Sequence, residues 1–159
     1  MPRPTPADFD RVDQKVLDDI KKHGWSDMAI FAGENTPPFN YTVGLDGFEH
    51  PELVCIGLHP EQGHGVLGSA IELIKAGTRL NANEYYEEVL EGFPVAFVEV
   101  DDMIGSDFPM SMTYRLSDSK VALQLVWPDM NGHFPWHGDF NEELRWQQPL
   151  LGTWRGVDA

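Results

Sequence analysis

The chain has 159 residues, 26 of them acidic and 11 basic, with a formal net charge of −15. A surface this negative repels a phosphate backbone and an anionic bilayer, so neither nucleic acid nor a membrane is expected as a partner. The hydrophobic fraction of 42% is enough for a packed core and argues against a disordered segment.

The length fits a single domain spanning 1–159. Cys55 is the only cysteine, so no internal disulfide can form, which fits a reducing cytosol. The N-terminus lacks an apolar signal region and no apolar run approaches a membrane span, so the expectation is a cytoplasmic protein.

Residues from about Thr5 to His23 read as a helix. Thr5-Pro6-Ala7-Asp8 resembles a capping box, and Phe9, Val12, Val16, Leu17 and Ile20 recur at helical spacing. Lys21, Lys22 and His23 suit the negative end of the helix dipole, and Gly24 offers a left-handed exit. Trp25 to Phe31 reads as a short strand. Phe39, Tyr41, Val43 and Leu45 alternate with Asn40, Thr42 and Gly44, the pattern of a half-buried strand. A loop through Phe48-Glu49-His50-Pro51 leads to an apolar run, Leu53 to Leu58, that suits a central strand.

A second helix is expected from Pro60 to Ala76, its early part weakened by Gly63, Gly65 and Gly68, so that its start could lie nearer Gly65. A short helix is expected over Glu84 to Leu90, a strand over Pro94 to Val100, and a short helix over Asp107 to Leu116. Val121, Leu123, Leu125 and Trp127 alternate with Ala122, Gln124 and Val126, giving a late strand. From about residue 137 an irregular tail is expected to pack back through Trp146, Leu150, Leu151 and Trp154. Strands cluster without regular helix alternation. The fold class is therefore α+β, with a mostly antiparallel or mixed sheet and helices packed on one face.

Several of these segments resemble a known family, the bacterial domain of unknown function numbered 4262. The matching pieces are His23-Gly24-Trp25, Tyr41-Thr42-Val43-Gly44-Leu45, His50-Pro51-Glu52-Leu53 and Gly57-Leu58. Further along come Gln124-Leu125-Val126-Trp127-Pro128-Asp129, Gly132 with Phe134-Pro135-Trp136, and Gln148-Pro149-Leu150-Leu151-Gly152. The likeness keeps the order of the blocks over nearly the whole chain. It implies no catalytic residue. The chain departs from the family pattern at Gly63-His64-Gly65, where ordinary helix formers are more usual.

The span from Gln124 to Trp136 is the densest in chemistry. Two tryptophans and two prolines in so short a stretch imply a stiff, aromatic-rimmed corner. Tyr41, Thr42, Gln124, Trp127, Asp129, His133 and Trp136 combine aromatic faces with polar groups, as a ligand pocket requires. The first expectation is thus a module that binds a small molecule or a protein partner at this corner. A metal-assisted hydrolase is the alternative, with His50, Glu52, Asp129 and His133 as candidate ligands of a type that suits zinc, iron or manganese, though no metal-binding spacing supports it.

Gly63-x-Gly65-x-x-Gly68 spells a dinucleotide fingerprint, but His59-Pro60-Glu61-Gln62 separate it from the preceding strand and no βαβ pattern surrounds it. A flavin- or nucleotide-dependent protein is a weaker reading, and no cofactor is assigned. Cys55 sits in an apolar run and reads as a structural thiol. Neither a serine elbow nor a Walker loop is present. The sequence does not decide whether a reaction is catalysed, and it leaves a homodimer open.

Overall fold

This computed structural model describes residues 6–157, with side chains from residue 11 onward. Thr5, which opens the capping box read at Thr5-Pro6-Ala7-Asp8, lies outside the described residues, and the side chains of that box and of Phe9 lie outside the described side chains. Six strands form: β1 (Ser26–Ile30), β2 (Phe39–Val43), β3 (Glu52–Ile56), β4 (Tyr85–Leu90), β5 (Phe93–Glu99) and β6 (Ala122–Val126). They hydrogen-bond in the order β1-β2-β3-β6-β5-β4. Among the described residues only β3 and β6 run parallel, with Glu52 opposite Ala122 and Cys55 opposite Leu125. The helices are α1 (Pro6–His23), α2 (Pro60–Lys75), α3 (Ser111–Leu116) and the short α4 (Leu144–Gln147). The protein is α+β, built on one mixed, open sheet.

The central strands are buried on both faces, not on one. Every residue of β2, β3 and β6 is buried. Leu53, Cys55, Leu123 and Leu125 point to one face, where Leu67, Ala70 and Ile71 of α2 cover them. Tyr41, Val43, Val54 and Ile56 point to the other, against Val16 of α1 and Met112 of α3. Beyond them Phe134 packs on Ala96, Val98 and Val126. So α2 covers its face as expected, while α1, α3 and the C-terminal segment close the opposite face. Each large side chain buried this way contributes about 1.5–3 kcal/mol.

Several elements depart from their sequence signals for identifiable reasons. Residues Glu84 to Leu90 do not form a helix; Tyr85–Leu90 is the edge strand β4. Tyr85, Tyr86 and Val89 are strand formers, and a helix of that length is marginal without strong packing. Leu90 pairs with Phe93 across a two-residue loop in which Gly92 takes φ of 84°. The helix expected from Asp107 begins only at Ser111, because Pro109 forces the preceding residue out of the helical region.

In α1 the apolar stripe is narrower than its spacing implies. Val16 and Ile20 pack, while Val12 and Leu17 are about half exposed. The helix α2 starts at Pro60, a residue well suited to a first helical position, so the glycine triplet lies within the helix and not at a strand exit. In the tail Leu150, Leu151 and Trp154 pack against the sheet, but Trp146 is 62% exposed. Among the described residues no helix is long and apolar enough to cross a membrane.

Candidate functional site

Burial on both faces obliges every polar side chain of the central strands to find an internal partner. That requirement explains most of the polar residues singled out from the sequence. Glu52 is fully buried and accepts from the Thr42 hydroxyl at 2.8 Å, the Gly44 and Leu45 amides at 3.0 Å, and the Ser117 hydroxyl at 2.8 Å. Burial pushes its pKa up, and these donors pull against that shift. Thr42 completes the network by accepting from the Leu53 amide. Glu52 therefore fastens the turn after β2 and the loop after α3 to the start of β3.

His50 is equally committed. Its Nδ1–H donates to the Pro51 carbonyl at 2.8 Å, and Nε2 accepts from the Leu80 amide at 3.0 Å. Both ring nitrogens are in use, and burial, aided by the Arg79 charge, pushes the pKa down. Asp129 and His133 lie beyond the far end of β6, whereas Glu52 pairs with its first residue. The four candidate metal ligands His50, Glu52, Asp129 and His133 are thus split between opposite ends of the β3–β6 pair. Among the described residues no group of three or more His, Cys, Asp or Glu could hold a metal ion.

Two more candidates are structural fastenings. The Tyr41 hydroxyl accepts from the Met112 amide at 3.1 Å, joining β2 to α3. Gln124 donates to the Pro149 carbonyl and accepts from the Leu151 amide, which holds the tail along the sheet. Cys55 is fully buried, and burial together with the Asp27 charge pushes its thiol up to about 12, so it is no nucleophile.

The corner itself divides. Trp127 belongs to the α2 face of the sheet, whereas Trp136 lies on the other. There Trp136 stacks on Trp154 at 4.2 Å, with 1° between the planes, and donates from Nε1 to the Tyr85 hydroxyl. Period-two alternation along β6 and the turn after it send the two indoles apart. Between them Asp129 organises the loop. One carboxylate oxygen accepts from the Asn131 and His133 amides at 2.9 Å, and the other from Asn141 at 3.0 Å. Burial acts to raise the Asp129 pKa, but these amide bonds prevail and hold it below the usual range. The His133 ring lies 3.8 Å from Asp129 and makes no hydrogen bond through Nδ1.

Trp127, Pro128, Asp129 and Met130 line a groove of about 500 Å³ between α2 and the β4–β5 hairpin. Val66 lines it from α2, and Leu90 and Phe93 from the hairpin, with Leu58 completing an apolar lining. Gln62, Ser69, Glu91 and Asp129 are its polar members. Gly65 also lines it, and a Cβ added there would meet nothing within 4 Å. Met130 is 85% exposed. Of the seven residues read as a ligand site, Trp127 and Asp129 reach this groove; Tyr41, Thr42, Gln124, His133 and Trp136 do not line it. The α2 and hairpin residues were missed because nothing at sequence level joins them to Trp127.

Fold and geometry together define an α+β protein with a ligand-sized apolar groove beside its sheet. The chain belongs to the family described as a domain of unknown function (DUF4262), whose family model matches residues 19–141. That span contains all six strands, α2 and the Asp129 loop. No curated protein and no solved structure matches the chain.

Proposed function

We propose that this protein is a binding module that takes a small, uncharged, largely apolar molecule in the groove between α2 and the β4–β5 hairpin. The lining carries the reading: Leu58, Val66, Leu90, Phe93 and Trp127 leave an apolar groove of about 500 Å³ open at the surface, with Met130, 85% exposed, at its edge. A contiguous exposed apolar patch marks a binding site more often than scattered apolar residues do, and methionine is an adaptable surface against which varied apolar shapes can pack. The Asp129 carboxylate fixes the loop that carries Met130 by binding three backbone amides. The groove volume lies within the range of small-molecule sites, and Gln62 and Ser69 can orient a ligand. The net charge of −15 disfavours an anionic ligand.

The test is an amide-resolved NMR titration with a set of uncharged aromatic and aliphatic fragments. The reading expects saturable shifts at Gly65, Ser69, Met130 and the Trp127 indole N–H. Shifts confined to the Trp136–Trp154 stack, or no saturable shift from any fragment, would refute it.

A further inference from the structure

The other flank of α2 borders a second cleft of about 500 Å³, lined among others by Lys15, Asp19, Trp25, Asp27, His64 and Lys75. It is polar where the first groove is apolar. Within it His64 Nδ1 lies 2.9 Å from Asp27 Oδ2, and the Trp25 ring stacks on the imidazole at 5.4 Å and 18°. Asn40 Nδ2 donates to both Asp27 oxygens, at 3.1 and 3.0 Å. The acid is therefore held from behind by a buried amide, and the imidazole is held in front by the acid.

This arrangement carries structural costs. Asn40 is 1% exposed, and its own carbonyl oxygen has no hydrogen-bond partner. Residue 63 is a glycine inside a helix, and a Cβ there would run into the Asn40 side-chain oxygen. An orphaned buried oxygen and a helix-weakening glycine meet at one Asp–His pair. Local rules broken together at a solvent-facing group point to a functional constraint.

We propose that His64 is a general base, positioned by Asp27, for hydrolysis of a small uncharged ester in this cleft. With Asp27 accepting from Nδ1–H, the lone pair resides on Nε2. The His64 side chain is 61% exposed, and among the described residues no hydrogen bond engages Nε2. An uncharged carbonyl fits the balance of charge. Lys15 is paired with Asp19 at 3.1 Å, and Lys75 donates to the His23 carbonyl at 3.0 Å with Glu72 3.8 Å away. No surplus of cations remains to attract a phosphate or carboxylate substrate.

In the reaction Nε2 takes a proton from water as the water oxygen bonds to the carbonyl carbon and the π pair moves onto the carbonyl oxygen. The tetrahedral intermediate then re-forms the carbonyl and expels the alkoxide. The alkoxide takes the proton back from Nε2–H, which yields an acid, an alcohol and a neutral imidazole.

The test is hydrolysis of 4-nitrophenyl acetate by the full chain, followed by release of the phenolate. His64→Gln is expected to lower kcat/KM by about 100-fold. Asp27→Asn is expected to lower kcat with KM unchanged, as a positioning role requires. His59→Gln, at an exposed histidine outside the cleft, should leave the rate intact. Circular dichroism checks that each variant is folded. A wild-type rate no greater than that of free imidazole would overturn the proposal, as would a His64→Gln rate matching wild type or an equal loss in His59→Gln.

Discussion

The indole N–H of Trp127 donates to the backbone carbonyl of Ile56 at 2.8 Å, tying the end of β6 to the end of β3. Gln148 clamps the same residue from the tail, accepting from the Trp127 amide and donating to its carbonyl. The ring bordering the groove is therefore fixed in the free protein, so a ligand of the proposed kind would cost it little ordering entropy. Trp127→Phe keeps the groove apolar but leaves the Ile56 carbonyl unpaired. It should destabilise the protein by about 1–3 kcal/mol in urea unfolding. An unchanged unfolding midpoint would show that the bond contributes nothing.

The two glycines near the start of α2 should respond oppositely to alanine. At Gly65 an added Cβ meets nothing, so Gly65→Ala should stabilise the helix by about 1 kcal/mol. At Gly63 the Cβ collides with Asn40, so Gly63→Ala should destabilise in spite of the same gain in helix propensity. Thermal unfolding of the pair reads the difference directly, and two variants that are equally stabilised would contradict the packing described.

Glu52→Gln tests the buried carboxylate. All the groups that reach it are donors: two hydroxyls and two backbone amides. A glutamine would turn an N–H₂ toward some of them. The cost should be about 1–3 kcal/mol although shape is kept and a charge is removed. A neutral or stabilising result would mean that desolvation of the acid outweighs its hydrogen bonds.

His50 makes stability depend on pH. Its folded pKa is depressed, so the unfolded chain takes up the proton first. The contribution is complete above the unfolded value of about 6.5 and is lost as pH falls toward the lower folded value. Urea midpoints should decline from about pH 7 to about pH 5. His50→Gln, which can still accept from Leu80, should be less stable at neutral pH but flatter across that window. Parallel slopes in the two proteins would assign the decline to other groups.

The sequence made most of the strands legible, because β-branched and aromatic runs mark them whatever covers them. It concealed the second buried face. Asn40, Thr42 and Gln124 alternate with apolar neighbours and so look solvated. Their partners Asp27, Glu52 and Leu151 lie far enough along the chain that no local pattern links them. The same distance hid the groove. Trp127 stood out by composition, but Val66 and Phe93 come from α2 and from a hairpin whose first strand, β4, carries a helix-like signal. Trp136 was grouped with Trp127 by proximity in sequence, whereas strand alternation and the turn place it across the sheet. His64 stands out in the sequence only as the middle of Gly63-His64-Gly65; nothing local links it to Asp27, which sits on β1 and meets it only through the packing of α2.

Titration of the uncharged fluorophore N-phenyl-1-naphthylamine into wild type and Gly65→Leu probes the groove most directly. Gly65 lines the groove and a Cβ there meets nothing within 4 Å, so a leucine is expected to reach into the open space beside Trp127. Saturable one-to-one binding to wild type, weakened at least 10-fold in a Gly65→Leu variant that unfolds no earlier, is the expected result; that factor corresponds to about 1.4 kcal/mol. Equal binding by both proteins, or none by either, would contradict a ligand site between α2 and the hairpin.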